Sequence, residues 1–408
     1  VATLNTTTYA YALKRLYNQK RIFNLAYKSN PFLAMVPKST NFVGAAKAVA
    51  TLYGNAPGIS AGFASAQGNV AASAGEQFLV TRVKHYGLAS IDTETILASK
   101  GSEGALLSAT KREMDSVIAG MGNDLGKAIY GDGSGSIGTL NGNPSSNVYT
   151  LASAGDITNF EVGMSVIFAD SITSAARDSG TAATISALDR DAGTFTCGST
   201  PTGTVDGDLV FREGDYTAAG SSTLKISGLA KWIASPAEVT AGVGALFGVT
   251  RTSDVTRLAG IRVDGTSLNL EEALKAACAR ASREGATPDY AFMSFEQFNA
   301  LTNLLGSKVQ YSDHKVGEIG FQGVKVISPS GVLTCIPDRN CPNDIVYVVQ
   351  MNTWELASLG PAPQILDLDG DKWSREGSAD AWEVRFAMFG NLCCGAPGYN
   401  VRLAVNAV

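Results

Sequence analysis

Between residues 8 and 28 the apolar positions fall at Leu13, Leu16, Tyr17, Ile22 or Phe23, and Leu25, a roughly helical spacing with basic residues set between them. The pattern predicts a basic amphipathic arm, halted at Asn30-Pro31 because proline disfavours helix in the residue before it. Farther on the period drops to two. In the run 77–97, Phe78, Val80, Arg82 and Lys84 alternate with Leu79, Thr81, Val83 and His85. With a second extended run at 42–53 this predicts a long two-stranded excursion, turning near Asn55-Ala56-Pro57-Gly58. Two strands alone bury too little to be stable in water, so the excursion has to lie on another surface, of this copy or of a neighbouring one.

The period returns to 3.6 over residues 102–130, where Leu107, Thr110, Met114, Val117, Met121, Leu125 and Ala128 recur every three or four positions and Ser102 is placed to cap. Such a helix is about 40 Å long. Its internal glycines weaken it, which implies that close packing keeps it formed. A glycine-rich linker, GDGSGSIGTLNGN (131–143), leads into a zone from about 145 to 218 that reads as all-β, with short strands at VGMSVIF, TAATISAL, GTFTCG and GDLVFRE. This zone is expected to be a small inserted β-barrel. From about 222 the pattern is mixed α/β. Asn269 with Glu272, and Ser294 with Gln297 as a capping box, open two helices, and PDYAFM, GVKVISP, NDIVYVVQ and AWEVRFAMF read as strands.

Composition adds a bias of charge. Of 408 residues only 17% are charged, below the ~25% usual for soluble domains. Low charge goes with surface covered by partners. The net charge is −5, yet the first 75 residues hold seven basic side chains and no Asp or Glu. A basic arm on an acidic body points to an acidic partner, either nucleic acid or the acidic surface of another copy. The opening VATLNTTTYAYALKRLY has no apolar h-region, so no signal peptide is expected, and no run of ~18 apolar residues marks a membrane span. The missing initiator Met implies removal or processing.

Candidate chemistry is sparse. Residues 48–75 carry no charge and contain Gly58-Ile59-Ser60-Ala61-Gly62, a formal nucleophile elbow. An elbow needs a strand before the serine, a helix after it, and a histidine with an acid. Here Asn-Ala-Pro precedes and the only histidines are His85 and His314. Gly133 to Gly138 matches G-x-G-x-x-G, but with helix before and strand after, the reverse of a dinucleotide site. Asp367-Leu368-Asp369-Gly370-Asp371 resembles the start of a calcium loop, yet Gly370 stands fourth and Lys372 sixth, so a solvated acidic turn is expected. Asp206-Gly207-Asp208 and Asp215 read the same way. Of six cysteines, Cys335 and Cys341 could bridge a loop if oxidised; zinc is disfavoured because both histidines stand far from any cysteine. No metal, cofactor or catalytic residues are expected.

The order of these elements, with NPFLAMVPKSTNF (30–42), SGLAKWI…LFGVTRTS (227–253), PDYAFMSFEQFNAL (288–301), GFQGVKVISPS (320–330) and NLCCGAPGYNVRLAV (391–405), resembles the major capsid proteins of tailed bacteriophages. The resemblance implies an α+β fold of the Hong-Kong-97 type. Its parts would be a basic N-terminal arm (1–41), an extended E-loop (42–97), a P-domain spine helix (98–140), an inserted β-barrel (141–220), an A-domain with P-domain connections (221–375) and closing strands (376–408). It further implies a non-enzymatic coat protein that self-assembles into pentamers and hexamers of an icosahedral head around double-stranded DNA, in the virion. The implied partners are other copies, portal, scaffolding and decoration proteins, and the packaged DNA by non-specific contact, with no membrane. Contacts between copies would fall on Asn55, Pro57, Gly58, Ile59 and Phe63 at the E-loop tip, and contacts of the arm on Lys14, Arg15, Lys20, Arg21 and Lys28. Some relatives crosslink through a lysine in this loop; the tip here has none, which implies non-covalent assembly. An encapsulin-type compartment shares the fold and is the alternative reading. A serine hydrolase using Ser60 and a secreted β-rich adhesin are more distant ones.

Overall fold

The computed structural model describes residues 26–27, 29–94, 103–216, 224–306, 311–316, 319–367, 374–375 and 380–407. The basic-arm positions Lys14, Arg15, Lys20, Arg21 and Lys28, the expected cap Ser102 and most of the Asp367–Asp371 motif lie outside them. The chain is mixed helix and strand and divides into two units. One comprises the residues up to Gly122 together with Trp232–Val408; the other is Asn123–Lys231.

The first unit holds two large sheets. One is organised on the long strand Ala381–Cys394, which pairs antiparallel with Val83–Asp92 from Val83↔Gly390 to Asp92↔Ala381, and with Trp354–Ser358 from Trp354↔Cys394 to Ser358↔Gly390. The other has seven strands in the order Ile261–Asp264, Val401–Ala404, Ile345–Val349, Tyr290–Met293, Gly331–Pro337, Ile319–Ser328, Tyr311–Val316. Every residue of its strand Ile345–Val349 is buried, the continuous apolar run expected of a strand covered on both faces. Helices Leu270–Ser282 and Phe295–Leu305 bury Ala273, Leu274, Ala277, Ala281, Leu301 and Leu305 in a core with Val346, Val348 and Leu403.

Local signals account for the starts of the two helices on this sheet. Asn269 accepts from the Glu272 amide and Ser294 from the Gln297 amide. The second cap is not a capping box, because the Gln297 side chain donates instead to the carbonyls of Asn343 and Asn406. Pro31 stands at the first position of a helix, Pro31–Met35, where its missing N–H costs nothing. The helix Glu103–Tyr130 buries Met114, Ile118, Met121, Leu125 and Ile129, so its covered stripe includes Ile118 and Ile129, while Val117 and Ala128 are only half-buried. Gly122 explains one internal glycine, since a Cβ there would meet the Ala26 carbonyl oxygen at 2.2 Å. The Gly122 carbonyl accepts from Asn30 Nδ2 at 2.8 Å, and Asn30 Oδ1 accepts from Asn340 Nδ2 at 2.6 Å.

Next to this polar hub, Phe32 is fully buried and meets Phe292 edge-on at 5.1 Å and Trp354 at 6.1 Å. Phe32→Ala should therefore cost about 3–5 kcal/mol of stability, read as a lowered urea midpoint of the full-length chain. A loss below about 1 kcal/mol would mean that the segment 30–36 does not hold the core together.

The second unit contains six strands in the order Ser136–Thr139, Leu209–Arg212, Ser165–Ala169, Ala183–Asp189, Thr194–Cys197, Val148–Thr150. A bridge between Leu140 and Leu151 links the ends of the first and last. The stretch 131–143 is thus no mere linker, for it contains an edge strand with Ile137 buried. Tyr149 stacks between Phe168 at 4.8 Å and Phe195 at 5.0 Å in the core.

In the two acidic turns expected to be solvated, Asp206 is exposed but Asp208 and Asp215 are not. Asp208 is fully buried and takes three hydrogen bonds from Arg177, Nε to Oδ2 at 3.0 Å and to Oδ1 at 3.2 Å, and Nη2 to Oδ1 at 2.7 Å. Asp215 lies 2.8 Å from Lys225 Nζ, which is also 2.7 Å from Asp124. Nor is Cys335 joined to Cys341: the two form no disulfide, and Cys341 Sγ donates toward the carbonyls of Phe292 and Ile345.

Candidate assembly surface

The strands Ala46–Gly54 and Ala74–Thr81 pair antiparallel, from Ala46↔Thr81 to Gly54↔Ala74, as a hairpin with no third strand among the described residues. The second sequence run is two strands, not one. It breaks at Arg82, and the next strand, Val83–Asp92, joins the sheet of Ala381–Cys394. The burial pattern carries the reason. Phe78 and Val80 face inward before the break, and Val83, His85 and Ala89 after it. An even spacing of core residues on both sides would need no break; the odd step from 80 to 83 does, because a one-residue slip turns every side chain to the other face.

One face of the hairpin rests on its own unit. Lys47 Nζ lies 2.6 Å from Glu355 Oε1, and Thr51 Oγ1 donates to the Gly395 carbonyl at 2.9 Å. The register slips between Leu52 and Gly54, leaving Tyr53 without a cross-strand partner, and its carbonyl accepts from Arg257 Nη1 at 2.6 Å. On the second strand the Leu79 amide donates to the Phe247 carbonyl at 3.0 Å, Phe78 meets Trp232 edge-on at 5.1 Å, and Asn391 Nδ2 donates to the Thr81 carbonyl at 2.9 Å. Sequence reasoning did not single out Arg257, Phe247 or Trp232, because nothing in their local pattern marks them as anchors for a hairpin some 150 residues or more away, nor Thr51, whose partner Gly395 is as distant.

The other face and the tip are open. Ala48, Ala50, Leu52, Gln77 and Leu79 face solvent. At the tip, Ile59 and Phe63 are each 83% exposed and Val70 is 72% exposed. Asn55 and Pro57 are exposed as well; Gly58 is half-covered, and a Cβ there would come within 3.3 Å of Val70. The tip therefore folds on itself, through the short helix Phe63–Gly68, and presents its apolar side chains outward. With no charge between Lys47 and Glu76, nothing in it opposes burial in an interface.

The arrangement holds no visible chemistry. Ser60 is exposed, its Oγ accepts from the Gly62 amide at 3.4 Å, and irregular chain rather than a strand precedes it, so it sits on no nucleophile elbow. Burial pushes the Cys197, Cys393 and Cys394 thiols up to about 12, which keeps them protonated and poor nucleophiles at neutral pH. Among the described residues, no group of three or more His, Cys, Asp or Glu is placed to hold a metal ion.

No curated protein matches the chain in sequence. Among solved structures it is similar to the capsid asymmetric unit of cyanophage A-1(L), at 12% identity over 92% of each chain with a TM-score of 0.46. A Mycobacterium phage Bobi chain is 10% identical, over 93% of this chain and 92% of that one, with a TM-score of 0.42. An encapsulin of Synechococcus elongatus PCC 7942 is 8% identical, over 100% and 98%, with a TM-score of 0.44. Residues 208–385 match the family model described as SU10 major capsid protein. By that match this segment of the chain is similar to a tailed-phage major capsid protein.

Proposed function

We propose that copies of this chain assemble non-covalently into pentamers and hexamers of an icosahedral head enclosing double-stranded DNA, and that the hairpin 46–81 docks on a neighbouring copy. The observation that carries this reading is the tip: an uncharged, outward-facing apolar cluster of Ile59, Phe63 and Val70 on a hairpin whose base is anchored at several points. An exposed apolar cluster on a soluble chain marks a contact surface. A tip that meets a different surface on the next copy makes a heterologous contact, which closes into rings.

The fold is read as Hong-Kong-97-type. In it 1–41 is the arm, the hairpin and its flanks within 42–97 the E-loop, the helix in 98–140 the spine, 221–375 the A-domain and 376–408 the closing strands. The segment 141–220 is read as a small inserted barrel, supported by the Leu140–Leu151 bridge that joins the ends of the strand order there. A net charge of −5 suits a shell that must not clamp the DNA it receives. Scaffolding, portal and decoration proteins belong to the same reading as partners. Negative-stain electron microscopy of the purified chain, alone and with its genomic neighbours, tests it. Closed shells or capsomer rings are expected; a persistent monomer in both preparations overturns it.

A further inference from the structure

Leu246 and Val249 bridge across a tight turn whose two central residues, Phe247 at φ 48° and Gly248 at φ 87°, both lie in the left-handed region. Two such residues in succession match the twist of paired strands, and Asn, Asp or Gly ordinarily takes the first place. Phenylalanine there is strained, because its Cβ crowds the backbone. The strain coincides with a grip on the hairpin. The Phe247 carbonyl accepts from the Leu79 amide at 3.0 Å, and its ring lies 5.6 Å from Trp232, which meets Phe78 at 5.1 Å. Trp232 is itself fixed, its Nε1 donating to the Leu392 carbonyl at 3.0 Å in the long strand of the sheet. Backbone and side chain of one residue thus act on two successive positions of the hairpin's second strand, 78 and 79. An unstrained residue such as Gly or Asn would keep the carbonyl and lose the ring.

We infer that Phe247 is a positioning residue for assembly, setting the angle at which the hairpin leaves its unit and with it the curvature of the contact between copies. The inference rests on the proposed docking of the hairpin on a second copy. Lys47, Thr51 and Tyr53 tether the first strand and Asn391 the end of the second at Thr81. The Phe247 turn acts between these points, at the Leu79 position paired with Ala48.

The test compares the full-length chain with Phe247→Gly, Phe247→Asn and Phe247→Tyr by hydrogen exchange and by shell diameter in electron micrographs. Gly and Asn both accept the left-handed backbone, so either one carries the test if the other fails to fold. Expected is about tenfold faster exchange in peptides covering 76–82, unchanged protection of the core strand Ile345–Val349, and shells of mixed diameter, with Tyr restoring both. Wild-type exchange with uniform shells overturns the inference, as does faster exchange with uniform shells. Loss of protection in Ile345–Val349 in both variants overturns it too, because Phe247 would then act as a core residue. If a chain with charges at Ile59 and Phe63 still forms wild-type shells, it is the docking reading that fails, whatever the exchange at 76–82 shows.

Discussion

Ile59→Asp combined with Phe63→Asp should leave a chain that folds normally and forms no closed shells. Both side chains are 83% exposed, so their replacement touches no core and should change stability by less than about 0.5 kcal/mol. In a docked tip the same two positions lose apolar burial worth about 1.5–3 kcal/mol each and gain a carboxylate with no partner. Even a net penalty of about 3 kcal/mol weakens each contact by more than 100-fold, and a shell repeats the contact for every copy. Thermal unfolding would check the fold, and sedimentation with electron microscopy the assembly. Deleting residues 54–72 should reach the same end point. Shells formed at wild-type concentration by the double variant would remove the tip from the interface.

How far the sequence foretold this surface depends on the range of the forces involved. The uncharged tip, the strands before and after it and the caps at Asn269 and Ser294 are local features, and each is visible within a few residues. The break at Arg82 is a step of phase within a run that alternates well on paper, and only the pairing of Val83–Asp92 with Ala381–Cys394 decides it. The anchors are non-local. Arg257 reaches Tyr53 and Phe247 reaches Leu79 across more than 160 residues, so no window on the sequence could contain both partners. The strand Ser136–Thr139 was hidden for another reason. Its glycines and serines carry the composition of a linker, and only the burial of Ile137 against the rest of the unit shows otherwise.

The same limit explains the misread acidic turns. Asp206-Gly207-Asp208 and Asp215 have the composition of solvated turns, and their cationic partners come from elsewhere in the chain: Arg177 for Asp208, Lys225 for Asp215. Burial of a carboxylate is tolerable only where such a partner is in place, which makes these pairs conditions of the fold and not surface decoration.

Lys225→Met should accordingly be among the most damaging substitutions in the unit Asn123–Lys231. Its ammonium lies between Asp124 at 2.7 Å and Asp215 at 2.8 Å, with side chains only 7%, 6% and 20% exposed, while Arg212 stands 3.9 Å from Asp124. Methionine keeps most of the length and an apolar stem but leaves two carboxylates without that charge, at a cost of about 3–5 kcal/mol near neutral pH. The loss should depend on pH in a definite direction. Burial already raises the Asp215 carboxyl above its ordinary value, with Lys225 opposing the rise. A carboxyl raised in the folded state holds its proton more tightly there than when unfolded. Its contribution favours folding in acid and is lost as pH climbs from the ordinary carboxylate range through the raised value. Removing Lys225 removes the opposing effect and widens that window. Urea unfolding of the full-length chain at about pH 4 and pH 7 should therefore show a large deficit at neutral pH that narrows in acid. Adding Asp215→Asn to Lys225→Met should recover part of the neutral-pH loss, because one stranded charge is gone. A deficit that is equal at both pH values, or no recovery in the double variant, would mean that the cluster is held by packing and not by charge.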